Sequence, residues 1–105
     1  MTSTHVEVIR KRIESIKAQL AGIDGMRPGS LTRQYKDPKN RRGAYYQLSY
    51  TRDMRSRTDY VPRDYVRELR REIQNYKRFK VLIDQWIALS IELSRLTMKR
   101  ASRPQ

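Results

Sequence analysis

The chain has 105 residues, no cysteine, and a formal charge of +13 from 24 Lys and Arg against 11 Asp and Glu. That length fits one small domain spanning 1–105, and the missing thiols exclude disulfides and thiolate metal sites. No apolar run reaches the ~18 residues of a membrane span and no signal-peptide core opens the sequence, so a cytoplasmic location is expected.

The charge is concentrated. Sixteen of the cations fall between Arg27 and Lys80 against six acidic residues, a surplus of ten, and the same stretch holds all seven tyrosines. Cations on one face neutralise phosphates and release condensed counterions, which drives association with nucleic acid. Aromatic rings among them add surfaces for bases to stack on.

In chain order, Val6, Ile9, Ile13, Ile16, Leu20 and Ile23 recur every three or four residues, which predicts a helix over 4–21. Thr2, Ser3 or Thr4 is its expected cap, and Gly22 and Gly25 mark its end. After the turn Met26–Gly29 the period falls to two. Leu31 and Tyr35 alternate with Thr32, Gln34 and Lys36, which predicts a strand. The turn-forming loop Asp37–Gly43 leads to a second strand over 44–51, and a third covers 55–61. Connections this short predict an antiparallel meander over 30–61. For the second hairpin, a three-residue loop at Arg52–Met54 pairs Ser49 with Arg57 and Gln47 with Asp59. Tyr46, Leu48, Tyr50 and Tyr60 then share the core face. A two-residue loop sets Leu48 against Asp59, charge on the apolar face, so the odd loop is expected.

Pro62 suits a helix start, and nothing breaks the pattern from 63 to 98, with a frayed tail over 99–105. Phe79, Leu82, Trp86, Leu89, Leu93 and Leu96 form a second seam. An antiparallel pairing with the first helix is its natural closure, with Trp86 in the core. The expected class is α+β: a helical hairpin, short N-terminal helix and long C-terminal helix, carrying an inserted three-stranded sheet. Ile83, Ile87 and Ile91 widen the apolar arc beyond what one neighbouring helix covers, and a homodimer is the expected cover.

The polar strand positions Thr32, Gln34, Lys36, Gln47, Ser49, Arg55 and Arg57 are candidate nucleic-acid contacts. Arg reads guanine and Gln reads adenine in a groove; phosphate contact alone, or an inert wet face, fits the same residues. Lys39, Arg41 and Arg42 in the first hairpin form a candidate phosphate clamp, with an ordinary solvated tip as the alternative. No enzyme activity, metal or cofactor is expected. The lone His5 supports no catalytic relay, and the glycines match no nucleotide-binding spacing.

The segments Arg27-Pro28-Gly29-Ser30-Leu31-Thr32-Arg33-Gln34-Tyr35, Gly43-Ala44-Tyr45-Tyr46-Gln47-Leu48-Ser49-Tyr50, Tyr60-Val61-Pro62 and Asn75-Tyr76-Lys77-Arg78-Phe79-Lys80 resemble a bacterial family of small basic proteins of uncharacterised function. The resemblance covers roughly 6–96. It implies a leading helix, a strand pair, a helix start at Tyr-Val-Pro and a long final helix. Many of these relatives carry a cysteine cluster between the first two strands. Here Asp37–Arg42 stands in its place, so no metal site carries over. The family is similar to proteins encoded beside transposases or in phage-like islands, which implies a bacterial or phage-encoded, DNA-binding accessory protein of a mobile element, with a transposase among its possible partners. The sheet is also similar in shape to the arm-site DNA-binding domains of tyrosine integrases. An RNA-binding protein holding a structured RNA is the alternative within this class. From another class, a helical assembly protein with an acidic protein partner fits the same charge.

Overall fold

A computed structural model describes residues 2–102 of the chain. It contains α1 (Thr2–Ala21), β1 (Ser30–Asp37), β2 (Arg42–Arg52), β3 (Arg55–Val61) and α2 (Val66–Ala101), with one 3-10 turn at Arg63–Tyr65. The strands form one antiparallel sheet in the order β1-β2-β3, so the α+β class and the element order follow the periodicities. The cap expected of Thr2, Ser3 or Thr4 and the end of the tail, 103–105, lie outside the described side chains and residues.

Boundaries differ from expectation at α1, which begins at Thr2 rather than 4, at β2, which covers Arg42–Arg52 rather than 44–51, and at both ends of the long helix. The α-helix proper begins at Val66, because the backbone N–H of Tyr65 donates to the Pro62 carbonyl at 2.9 Å and tightens the first turn into 3-10 form. It also runs past Met98 to Ala101, with Lys99 and Arg100 in the last turn favouring the negative end of the helix dipole.

The chain divides into two compact units, 1–24 with 78–105 and 25–77. In the first, α1 and the C-terminal part of α2 pack as an antiparallel pair. Arg78 donates to Gln19 at 3.3 Å and His5 meets Glu92 at 2.9 Å, so positions rise on one helix as they fall on the other. Their core is Ile9, Ile13, Ile16, Leu82 and Leu89, with Leu20, Ile23, Trp86, Leu93 and Leu96 packed against it. Trp86 is only partly buried, and the Lys17 ammonium lies over its ring at 5.4 Å.

In the second unit one face of the sheet packs on the start of α2, joining Leu48 and Val61 to Leu69 and Ile73. Leu31, Tyr46, Tyr50 and Val66 border this core. The segment leading into β1 is tied to α2 twice: the Asn75 side-chain amide donates to the Gly25 carbonyl at 2.7 Å, and the Arg27 N–H donates to the Glu72 carbonyl at 3.0 Å. Gly29 then crosses Leu48 at φ +133°, where an added Cβ would lie 2.8 Å from Leu48 Cδ1 and 2.9 Å from the Ser49 carbonyl oxygen. No other residue type fits there.

The register of the second hairpin corrects the expectation. Arg52 pairs with Arg55, so the loop is the two-residue Asp53-Met54, both in the left-handed region at φ 53° and 63°. This is the twist-compatible type I′ turn of tight hairpins. It sets Tyr50 opposite Arg57, Leu48 opposite Asp59 and Gln47 opposite Tyr60. The charge this brings to the core face is met by Arg27, whose guanidinium bonds the Asp59 carboxylate and lies 4.7 Å from the centre of the Tyr50 ring. The carboxylate holds the Arg27 pKa above its ordinary value, chiefly through that hydrogen bond.

Candidate functional site

Side chains alternate across a strand, so the observed pairings assign every strand residue to a face. The face turned away from α2 carries Thr32, Gln34 and Lys36 on β1, Tyr45, Gln47, Ser49 and Thr51 on β2, and Ser56, Thr58 and Tyr60 on β3. Thr32, Gln34, Lys36, Gln47 and Ser49 are therefore together, as the strand alternation implied. Arg55 and Arg57 are not with them. The two-residue loop shifts β3 by one position, and both arginines fall on the opposite face, exposed near the Asp53-Met54 tip.

The same shift brings Tyr60 to the open face, where it is 69% exposed. Tyr60 was expected in the core; Tyr46 and Tyr50 do lie there. Tyr60 sits beside its partner Gln47, and Tyr45 is two residues along β2 on the same side. Tyr45 and Tyr60 line one shallow cavity with Lys36, Gly43 and Ala44. Gly43, at φ +69°, lets the Lys36 side chain lie across it: a Cβ there would sit 3.1 Å from Lys36 Cβ. Tyr35 is on the opposite face, with the Arg33 guanidinium 5.4 Å from its ring centre.

Lys36 is the one cation among the strand residues assigned to the open face. The remaining charge at this end of the sheet is on the β1–β2 connection, where Lys39, Arg41 and Arg42 are all exposed. Asp37 shapes that loop by accepting bonds from the Asn40 backbone N–H at 3.3 Å and its side-chain amide at 3.0 Å. Arg41 takes a left-handed conformation at φ 53° before β2 resumes at Arg42. From Tyr60 through Gln47 and Tyr45 to Lys36 and the loop, the order is aromatic, amide, aromatic, cations. A second basic strip follows the β1 edge, where Ser30, Arg70, Gln74 and Lys77 line a groove.

Such an arrangement suits a strand whose bases stack on the rings while its phosphates meet the cations. Among the described residues no three His, Cys, Asp or Glu side chains are grouped to hold a metal ion. Among the same residues, no helix is long and apolar enough to cross a membrane. Sequence reasoning missed Tyr60 and placed Arg55 and Arg57 wrongly because both rest on one register choice. The available signal was Asp at position 53, a residue that tolerates the left-handed conformation.

A family described as Domain of unknown function (DUF6788) matches residues 6–71. The match takes in the whole sheet, the Arg27-Pro28-Gly29 segment and the start of α2, and stops before Asn75–Lys80. No curated protein and no solved structure matches the chain. With more than half its length covered, including every residue of the open sheet face, the chain belongs to this family of unknown function.

Proposed function

We propose that this protein binds nucleic acid in single-stranded form on the open face of its sheet, as a DNA-binding accessory protein. The observation that carries the reading is the outward placement of Tyr45 and Tyr60 on either side of Gln47, next to a hairpin bearing Lys39, Arg41 and Arg42. Tyr60 is exposed and Tyr45 half-buried, so their rings gain further burial only when something flat covers them, and every nucleobase has a face to offer. The Gln47 amide has both a donor and acceptor for a base edge, and Lys36 with the loop cations reaches the backbone. Duplex reading by Arg55 and Arg57 alongside Gln47 loses its support, since those arginines face the other way. A role beside a transposase in a mobile element is in keeping with the resemblance of the sequence motifs.

Fluorescence anisotropy with labelled 12-mers of dT, rU and duplex DNA tests the reading. The single strand is expected to bind more tightly than the duplex. Tyr60→Ala and Tyr45→Ala should each weaken it by roughly 5- to 100-fold, the value of one base–aromatic stack. With four cations engaged, log K should fall against log salt with a slope of about −3. Tighter binding of rU would assign the face to RNA. Duplex binding that matches the single strand and ignores both tyrosine variants would refute the stacking face. Absence of any salt-sensitive binding would leave the charge to an acidic protein partner.

A further inference from the structure

The C-terminal part of α2 bears an apolar face that α1 does not cover. Ile87 is 54% and Ile91 48% exposed, and with Ile83 they border a hollow floored by Ser90 and Ser94. Between Ile83 and Arg95 the flank beside this stripe carries two charges. Taking Ile87 as zero at 100° per residue, Asp84 lies at about +60° and Arg95 at about +80°, on the same side of the stripe. Eleven residues, or ~16 Å, separate them along their own helix, too far to pair with each other. Among the described residues neither has an ion-pair partner.

We propose that this face seats a second copy of the chain, the two α2 helices running antiparallel about a two-fold axis level with Leu89 and Ser90. Such an axis brings the same flank of both helices together and opposes residues equidistant from it. Asp84 and Arg95 are equidistant from the midpoint between 89 and 90. Each therefore meets its opposite charge on the other copy, and the pair forms twice. A parallel arrangement about a two-fold axis would instead put the charged flanks of the two copies on opposite sides of the interface, and neither charge would meet its opposite. Sizes match in the same register. Ile87 of one copy arrives level with position 92 of the other, over the hollow between Ser90 and Ser94. Ile83 arrives level with position 96, beyond Ser94. Large side chains thus enter the space that small ones leave, as knobs into holes.

Sedimentation equilibrium on the full chain, without nucleic acid, should show a dimer. Ile87→Glu should convert it to a monomer with unchanged far-UV circular dichroism. Asp84→Arg should raise the dimer dissociation constant about tenfold, two rim pairs being lost at once, and adding Arg95→Asp should bring it back. The chain has no cysteine of its own, so single thiol probes report the geometry directly. Ser90→Cys, beside the axis, should form a disulfide-linked dimer on oxidation. Ile83→Cys should not, because its two copies would stand ~20 Å apart along the helices. A wild-type chain that stays monomeric at high micromolar concentration overturns the proposal. So does cross-linking of both cysteine variants alike, or a charge swap that fails to restore the dimer.

Discussion

Arg27 and Gly29 show how two residues of a short turn govern a sheet that begins after them. Arg27 reaches Asp59 on β3 and stacks on Tyr50 of β2, so one side chain neutralises the only acidic group that the hairpin register turns toward Leu48. Being partly exposed, the ion pair adds little by Coulomb attraction alone; its value is that Asp59 is not left unpaired beside the core. Gly29 allows the backbone to pass against Leu48, the most fully buried residue of this unit. Gly29→Ala must strain a backbone at φ +133° and push Leu48 aside, and should cost about 2–4 kcal/mol in urea unfolding. A loss below ~0.5 kcal/mol, the scale of an ordinary surface change, would show that the crossing is looser than the contacts imply.

Among the elements, the second hairpin has the largest consequence. Its two-residue turn decides which side chains of β3 face outward, and so decides that tyrosine rather than arginine stands beside Gln47. Met54 has φ 63° and is 98% exposed, so it occupies a left-handed position and packs on nothing. Met54→Gly removes a steric cost of about 1 kcal/mol and should raise Tm by roughly 4–8 °C. A lower Tm would contradict the type I′ assignment and with it the outward placement of Tyr60. For the other elements the periodicities were sufficient. The three–four spacing of Val6 to Ile23 and of Phe79 to Leu96 identifies two helices and their facing sides, because an α-helix buries a stripe and leaves the rest wet. The strand alternation in β1 and β2 identifies the open face of those two strands for the same reason. What failed was the join between β2 and β3. Judged locally, charge opposite Leu48 looks unfavourable. It becomes acceptable only through Arg27, 32 residues away in sequence from Asp59.

For the molecule as a whole, a charge of +13 on 105 residues means that the folded state repels itself whatever the partner turns out to be. Raising ionic strength from ~10 to ~150 mM shortens the screening length from about 30 to 8 Å, and Tm of the free protein should rise by a few degrees. A Tm that is flat or falls would mean that the charges are already balanced locally, and the argument for a polyanionic partner would lose its energetic basis. Fourteen cations against six acidic residues, a surplus of eight, lie in the unit formed by 25–77, with the sheet, whereas the uncovered isoleucines lie in the other unit. The proposed ligand binding and the proposed self-association therefore involve different parts of the chain, and variants such as Tyr60→Ala and Ile87→Glu should separate them.

By itself the sequence determined the elements, their order, the two helical seams and the place where charge accumulates, since each is a local or periodic property of the side chains. The tertiary structure alone decided the β2–β3 register, the counter-ion for Asp59 and the division into two units with separate cores. Those depend on contacts between residues far apart in the chain, such as Arg27 with Asp59 and His5 with Glu92, whose energies no local window contains.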